Sequence, residues 1–354
     1  MENADNFLLL LKDDIDYRKI QQGKDVYSNF IKRQEGIRKV FVENYLQHIE
    51  DSFLCDFGGK KFAVSKVESI FETLTMCCKL FLSGDISKAM SKLYDCYFEE
   101  GNTKLKKRTI EKGGIFYRMR KANNYKRYEE TEMFHVPFEK NYLTKNERFS
   151  ISGFPSLYLG KSIYVCWEEM GRPDFDHANV ALYKNLKECE VIDLCFPTNI
   201  NDSVGSLLTL PLILSSSLIV LHPESDFKPE YIIPQLLMQC LVKYNKDNGN
   251  AIDGIKYDSI HIFNKDSFYS CNETGHESLY ENYVFPAKKV EEEGQCEKLK
   301  EIFSLEYSNS FSRFELGEYE LATSPSWEDE TKPEYEKSKF YRMEKMLSLE
   351  TSKK

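Results

Sequence analysis

With 354 residues, 41% of them hydrophobic and 14% aromatic, the chain has ample apolar material for one large or two ordinary domains, which excludes wholesale disorder. A formal net charge of −9 argues against nucleic-acid binding, which needs a concentrated basic face. The one basic run, Lys104–Arg108 (KLKKR), reads as a solvated linker, and the most apolar stretch, Leu207 to Leu221, is interrupted by Pro211 and falls short of the roughly twenty residues a bilayer span needs.

The ten cysteines form no CxxC pair and none stands at zinc-ligand spacing from a histidine. Cys77 and Cys78 are adjacent; Cys55, Cys96, Cys166, Cys189, Cys195, Cys240, Cys271 and Cys296 are scattered, mostly in apolar runs where a free thiol acts as a small hydrophobe. With no recognisable signal peptide, the expectation is a reducing cytoplasm, no membrane association and no metal.

In chain order, residues 1–110 read as a helical domain. A helix is expected over Val40 to Phe53. From Lys66, the positions Val67, Ile70, Phe71, Leu74, Cys77, Cys78 and Phe81 keep helical spacing. Ser65 and Glu68 suggest a capping box, and Gly84 a stop. Ile86, Met90, Leu93 and Tyr97 repeat the stripe, as the core of a small bundle would.

After Gly113-Gly114 the pattern changes. Short β-branched and aromatic runs, IFYRM, SLYL, VIDL, GIKY and NYVF, alternate with helical stretches at Ser162 to Met170, Leu207 to Val220 and Glu230 to Tyr244. Residues 111–290 are therefore expected to form a mixed domain, giving an α+β chain. Residues 291–354, opening on Glu291-Glu292-Glu293, read as a charged tail with one exposed helix near Tyr335 to Leu349.

Several residues have the chemistry for a site. Arg118 and Arg120 share one face of a strand, and a guanidinium fork suits a phosphate; a surface arginine paired with a carboxylate is the commoner outcome of such a pattern. Arg148 precedes a Ser152-Gly153 turn that could hold an anion or be an ordinary loop. Tyr158 alternates with Leu157 and Leu159, so its ring faces away from theirs, toward a cleft or a half-buried sheet. Glu168 and Glu169 are adjacent on a helix and diverge by about 100°, so one of them faces any cleft. Ser259 closes GIKYDS, where a turn serine is common. His135, His177, His222, His261 and His276 accompany no G-x-S-x-G elbow and no H-E-x-x-H spacing, and no glycine-rich phosphate loop is present.

The phrases FYRMR, RFSISGFPSLYLG, IYVCWEEM, PEYIIPQLLMQ, IDGIKYDS and NYVFP, in that order, resemble the RES domain over about Gly113 to Ala287, in a long form with a helical N-terminal extension. The resemblance implies an ADP-ribosyltransferase-like fold that consumes NAD. It implies that Arg118 and Arg148 hold the dinucleotide and that Tyr158 lies beside the nicotinamide. Glu169, eleven positions after Tyr158, would be catalytic together with Arg118, and Ser259 would complete the set. It further implies a toxin or defence setting with an antitoxin or immunity partner, and self-association is an open possibility. Arg148 departs from the Gly-Gly-Arg-Trp-Asn phrase of many RES domains, being flanked by Asn146-Glu147 and Phe149-Ser150. Two other readings stay open: a RES-like nucleotide-sensing or interaction module without turnover, and a protein ADP-ribosyltransferase. No arginine–histidine nuclease spacing occurs in the helical segment, where Arg38 and His48 are ten apart.

Overall fold

The computed structural model describes residues 26–48, 54, 58–99, 102–122, 128–197, 204–249, 251–260, 277–288, 292–310 and 334–352. His261, His276, Cys55, Cys271, Glu291 and the last residues of the helix expected to end at Phe53 lie outside them. The principal elements in chain order are α1 (Val26–Lys39), α2 (Lys60–Leu82), α3 (Ile86–Tyr97), β1 (Phe98–Glu99), β2 (Asn102–Thr103), β3 (Lys107–Ile110), β4 (Ile115–Lys121), β5 (Ser156–Gly160), α4 (Ile163–Glu169), β6 (Ala178–Asn185), β7 (Cys189–Leu194), α5 (Val204–Ser216), α6 (Ile232–Asp247), β8 (Gly254–Asp258), β9 (Glu281–Pro286), β10 (Phe303–Ser310) and α7 (Lys339–Ser352). An α+β chain with a helical N-terminal region and a mixed α/β remainder is what the sequence pattern led us to expect.

The chain divides into two compact units, and the division is interleaved: residues 1–108, 145–152 and 192–252 form one, and 109–144, 153–191 and 253–354 the other. One cut falls between residues 108 and 109, and α5 and α6 belong to the helical unit instead of the mixed one. Their apolar surfaces explain it. Leu207, Leu210, Leu212, Ile213 and Leu214 of α5 are all buried, as are Leu236, Leu237, Cys240 and Leu241 of α6. A helix as apolar all round as α5 must be enclosed, α6 has one broad apolar face to bury, and α2, α3 and α1 supply the partners.

In this helical unit α2 begins at Lys60, six residues earlier than the capping-box pattern suggests; Ser65 is inside the helix and the N-cap is Gly59. Val67, Phe71, Leu74, Cys77 and Cys78 are buried as the stripe predicts, and Gly84, at φ 88°, terminates the helix in a conformation that favours glycine. Asp85 then caps α3, its carboxylate accepting the Lys88 N–H. The helix expected from Val40 instead begins earlier, as α1, and continues as a π-turn and a 3-10 turn to His48.

An eight-stranded sheet runs in the order β10-β6-β4-β5-β9-β8-β7-β3; its first six strands belong wholly to the second unit, and β7 and β3 are each cut by the division. Its core lies on both faces. Phe116, Leu157, Leu159, Tyr183, Tyr283, Phe285 and Phe303 pack on one. Tyr117, Met119, Val180 and Leu182 pack with α4 and α7 on the other. β10 and α7 come from the segment expected to be a charged tail. That expectation is corrected: β10 pairs antiparallel with β6 from Phe303↔Asn185 to Ser310↔Asn179, and α7 buries Phe340, Met343 and Leu347.

Gly160 is where α4 meets β5. A Cβ there would stand 2.6 Å from both Cys166 Sγ and Val165 Cγ1, inside any tolerable contact. Gly160→Ala must therefore push α4 off the strand, a destabilisation of about 1–3 kcal/mol by overpacking. Chemical denaturation would read this directly; an unchanged midpoint would contradict so close an approach.

Candidate functional site

The sheet has a weak seam. β4 and β6 pair over seven residues, from Ile115↔Lys184 to Lys121↔Ala178, and β5 pairs with β9 along its whole length. Between β4 and β5 the ladder is a single pair, Tyr117↔Gly160. Beyond it the strands are no longer paired, and the backbone groups along the opening need other partners. Arg118 provides one: its Nη1 donates to the Tyr158 carbonyl at 2.9 Å.

Arg118 leaves β4 on the Phe116 face, with Arg120 beside it as the alternation requires. Tyr158, alternating with the buried Leu157 and Leu159, projects from the opposite face of β5. The guanidinium thus enters the seam and touches Tyr158 through its backbone. Burial lowers the Arg118 pKa from its usual value, and Arg120 nearby adds to the effect; its Nε is buried with no hydrogen-bond acceptor. A desolvated guanidinium of this kind favours an anion. Arg120 is spent otherwise, on the Glu132 carbonyl and over the Tyr128 ring at 4.6 Å.

α4 resolves the two glutamates. Ser162 starts the helix, its Oγ accepting the Val165 N–H at 3.0 Å. Glu168 is buried and ion-paired with Arg172 Nε at 2.9 Å, and it also bonds Tyr164. Arg172 sits at φ 55°, the one non-glycine residue with positive φ among those described, and stacks over Trp167. Glu169 is exposed, and its Oε1 accepts from Asn282 Nδ2 at 2.9 Å. Asn282 of β9 lies opposite Gly160 and Tyr257, on the face from which Tyr158 projects. Of the pair, then, Glu169 is the one tied to the strands that carry Tyr158.

Ser259 follows β8 directly. It is buried, and its N–H donates to the Tyr280 carbonyl at 2.9 Å. Strand alternation puts it on the Tyr257–Asn282 face. Tyr158 faces Val284, Glu169 is anchored at residue 282, and Ser259 lies beside residue 280. The three therefore step along one face of the sheet over about 13 Å, four strand residues.

Arg148 belongs to the helical unit. Its Nη1 donates to the carbonyls of Ser216 and, at 3.3 Å, Leu218, and its guanidinium lies over the Tyr231 ring at 5.3 Å. This places a cation at the C-terminus of α5, where the helix dipole and its free carbonyls want one. The turn before it is held by Gln235, which reaches Asn146 and the Glu147 carbonyl. Asn282 was not foreseen. Its signal was the alternation of NYVF, which sets the asparagine opposite the glycine of SLYLG.

His135 is structural. Its buried ring donates from Nδ1 to the Val136 carbonyl at 2.7 Å and accepts the Cys296 N–H at Nε2, 2.9 Å. Desolvation lowers its pKa from 6.5 to about 4. The unfolded chain takes up this proton near pH 6.5 while the folded one resists until about 4. The stabilisation is complete above pH 6.5 and is lost as pH falls through that window, amounting to about 3 kcal/mol. Denaturation midpoints at pH 7 and 4.5 should separate accordingly, and His135→Gln should flatten the difference. An equal pH slope in that variant would contradict the assignment.

The fold and its seam define an α+β protein in which Tyr158, Ser259 and the Asn282-bound Glu169 lie along one face of the sheet, while Arg118 leaves from the opposite face and meets Tyr158 through its backbone carbonyl. No family model matches the chain, and no solved structure matches it. It is 30% identical over 295 residues to a Bacillus subtilis (strain 168) protein named "Putative toxin YopC". That match covers 75% of this chain and 64% of the relative, so the chain spans less than two thirds of the curated protein it matches.

Proposed function

We propose that the protein consumes NAD by cleaving the bond between nicotinamide and ribose, as a glycohydrolase or a phosphorylase, and acts as a toxin checked by an antitoxin or immunity partner. The reading is carried by one observation: the Arg118 guanidinium enters the β4–β5 seam onto Tyr158, while Glu169 is anchored by Asn282 on the Tyr158 face. Similarity to a protein whose name includes the word toxin supports the setting.

Each residue has a task that its chemistry suits. Arg118 takes the pyrophosphate, matching a planar fork to phosphate oxygens. The Tyr158 ring lies against the cationic nicotinamide, which favours an aromatic face. Ser259, buried beside Tyr280 at the far end of this row, backs the ribose end of the site. Bond cleavage passes through an oxocarbenium-like state, and the Glu169 carboxylate stabilises the charge that develops there. Nicotinamide departs as a neutral molecule, so no general acid is required.

The test is to incubate the purified protein with NAD, with and without inorganic phosphate, and identify the products. Free nicotinamide with ADP-ribose indicates water as nucleophile; a phosphorylated ribose product that forms only with phosphate indicates phosphorolysis. NAD that binds and is recovered intact favours a nucleotide-sensing module instead. The commitment of Arg148 to the end of α5 is the observation on the side of that second reading, since it removes one of the two expected anion ligands.

A further inference from the structure

The first turn of α4 is held by two side-chain acceptors, and one comes from the far end of the chain. Ser162 Oγ caps Val165 and donates to the Leu279 carbonyl at 2.7 Å. Glu344 of α7 accepts the Ile163 N–H at 2.7 Å through Oε1, and the same oxygen accepts the Tyr335 hydroxyl at 2.6 Å. Around this contact α7 is seated on α4: the Phe340 ring lies 5.2 Å from those of both Tyr164 and Trp167, and Met343 and Leu347 are buried in the same cluster. Besides the bonded Tyr335, the groups whose charge acts on Glu344 or is acted on by it are Tyr117 of β4, Cys166 of α4 and the exposed Lys345 of its own helix. Burial pushes its carboxyl up to about 7. An apolar side chain would fill such a place with less desolvation cost, so the carboxyl is there for the bonds it makes.

We propose that α7 braces the helix that carries Glu169, and that Glu344 is a positioning residue for the reaction. This rests on the NAD-cleaving reading above. α4 has only seven residues, so a shift at Ile163 is transmitted to Glu169 at its other end, where the Asn282 bond fixes the carboxylate. Glu344→Gln keeps an acceptor for Ile163 N–H and Tyr335 but does not titrate; Glu344→Leu keeps the packing and loses both bonds.

The experiment measures NAD turnover by the full chain between pH 5.5 and 8.5, together with hydrogen exchange of the α4 amides. Glu344→Gln should hold kcat within about twofold at pH 6 and lack the inflection near pH 7 shown by the unmodified protein. Glu344→Leu should lose kcat by at least about tenfold with KM little changed, since a displaced carboxylate costs the chemical step. In a Glu169→Ala background the leucine variant should cause no further loss. Retention of full kcat by Glu344→Leu, or an additive loss in the double variant, overturns the proposal. If the unmodified protein releases no nicotinamide, the NAD reading fails on its own. The exchange arm still decides the brace: faster α4 exchange in Glu344→Leu supports it, and unchanged exchange refutes it.

Discussion

Arg118→Ala is expected to abolish NAD loss, lowering kcat/KM by at least about two orders of magnitude while the protein remains folded. Its guanidinium is a cation at the seam of the sheet, and alanine removes both the phosphate fork and the hydrogen bond that holds the Tyr158 carbonyl. Arg118→Lys should fail nearly as badly. An ammonium carries the charge without the planar pair of donors, so it cannot hold a carbonyl and grip a phosphate in one geometry. Turnover assayed beside a denaturation curve separates the two effects, because unfolding would abolish cooperative melting as well as activity. Near-normal turnover in the alanine variant would remove Arg118 from the site.

The largest expected loss of stability is in the helical unit. Arg33 of α1 donates to Glu230 Oε1 at 2.6 Å and to the Ile219 carbonyl, and both side chains of the ion pair are almost completely buried. Glu230 also accepts the Leu221 N–H at 3.3 Å, so one carboxylate ties α1 to the connection between α5 and α6. Burial pulls the Arg33 pKa down, and Glu230 opposes the shift. Glu230→Ala leaves a charged guanidinium with no counter-ion in an apolar interior, which costs about 3–5 kcal/mol. Thermal melting should show a fall of roughly 10 °C. Replacing both partners with apolar residues of similar size, Arg33→Met with Glu230→Leu, should recover most of it. A single variant as stable as the parent would mean that water reaches the pair.

Much of this was legible in the residues. The alternation of Leu157, Tyr158 and Leu159 gave the strand and its two faces, and the pattern from Val67 to Cys78 gave the buried stripe of α2. β6 escaped because nearly all of Ala178 to Asn185 is buried, so period-two patterning disappears. β10 was hidden by the polar, charged composition of its segment, whereas the helix of α7 was expected near Tyr335 to Leu349 and what the sequence missed was the burial of its Phe340, Met343 and Leu347. Arg148 shows a different limit. A sequence places an arginine beside a serine-glycine turn but does not reveal that a helix C-terminus will occupy it. Among the two glutamates, spacing alone could not choose. Glu168 is paired with Arg172 and Glu169 is held by Asn282, and those contacts connect positions 113 residues apart in the second case.

The most direct test is made with Glu169→Ala and labelled NAD, measuring binding and nicotinamide release on the same sample. The account predicts that the variant still binds NAD through Arg118 and Tyr158 but returns it uncleaved. Nicotinamide released at the rate of the unmodified protein would contradict it, since no carboxylate at that position would then be taking part.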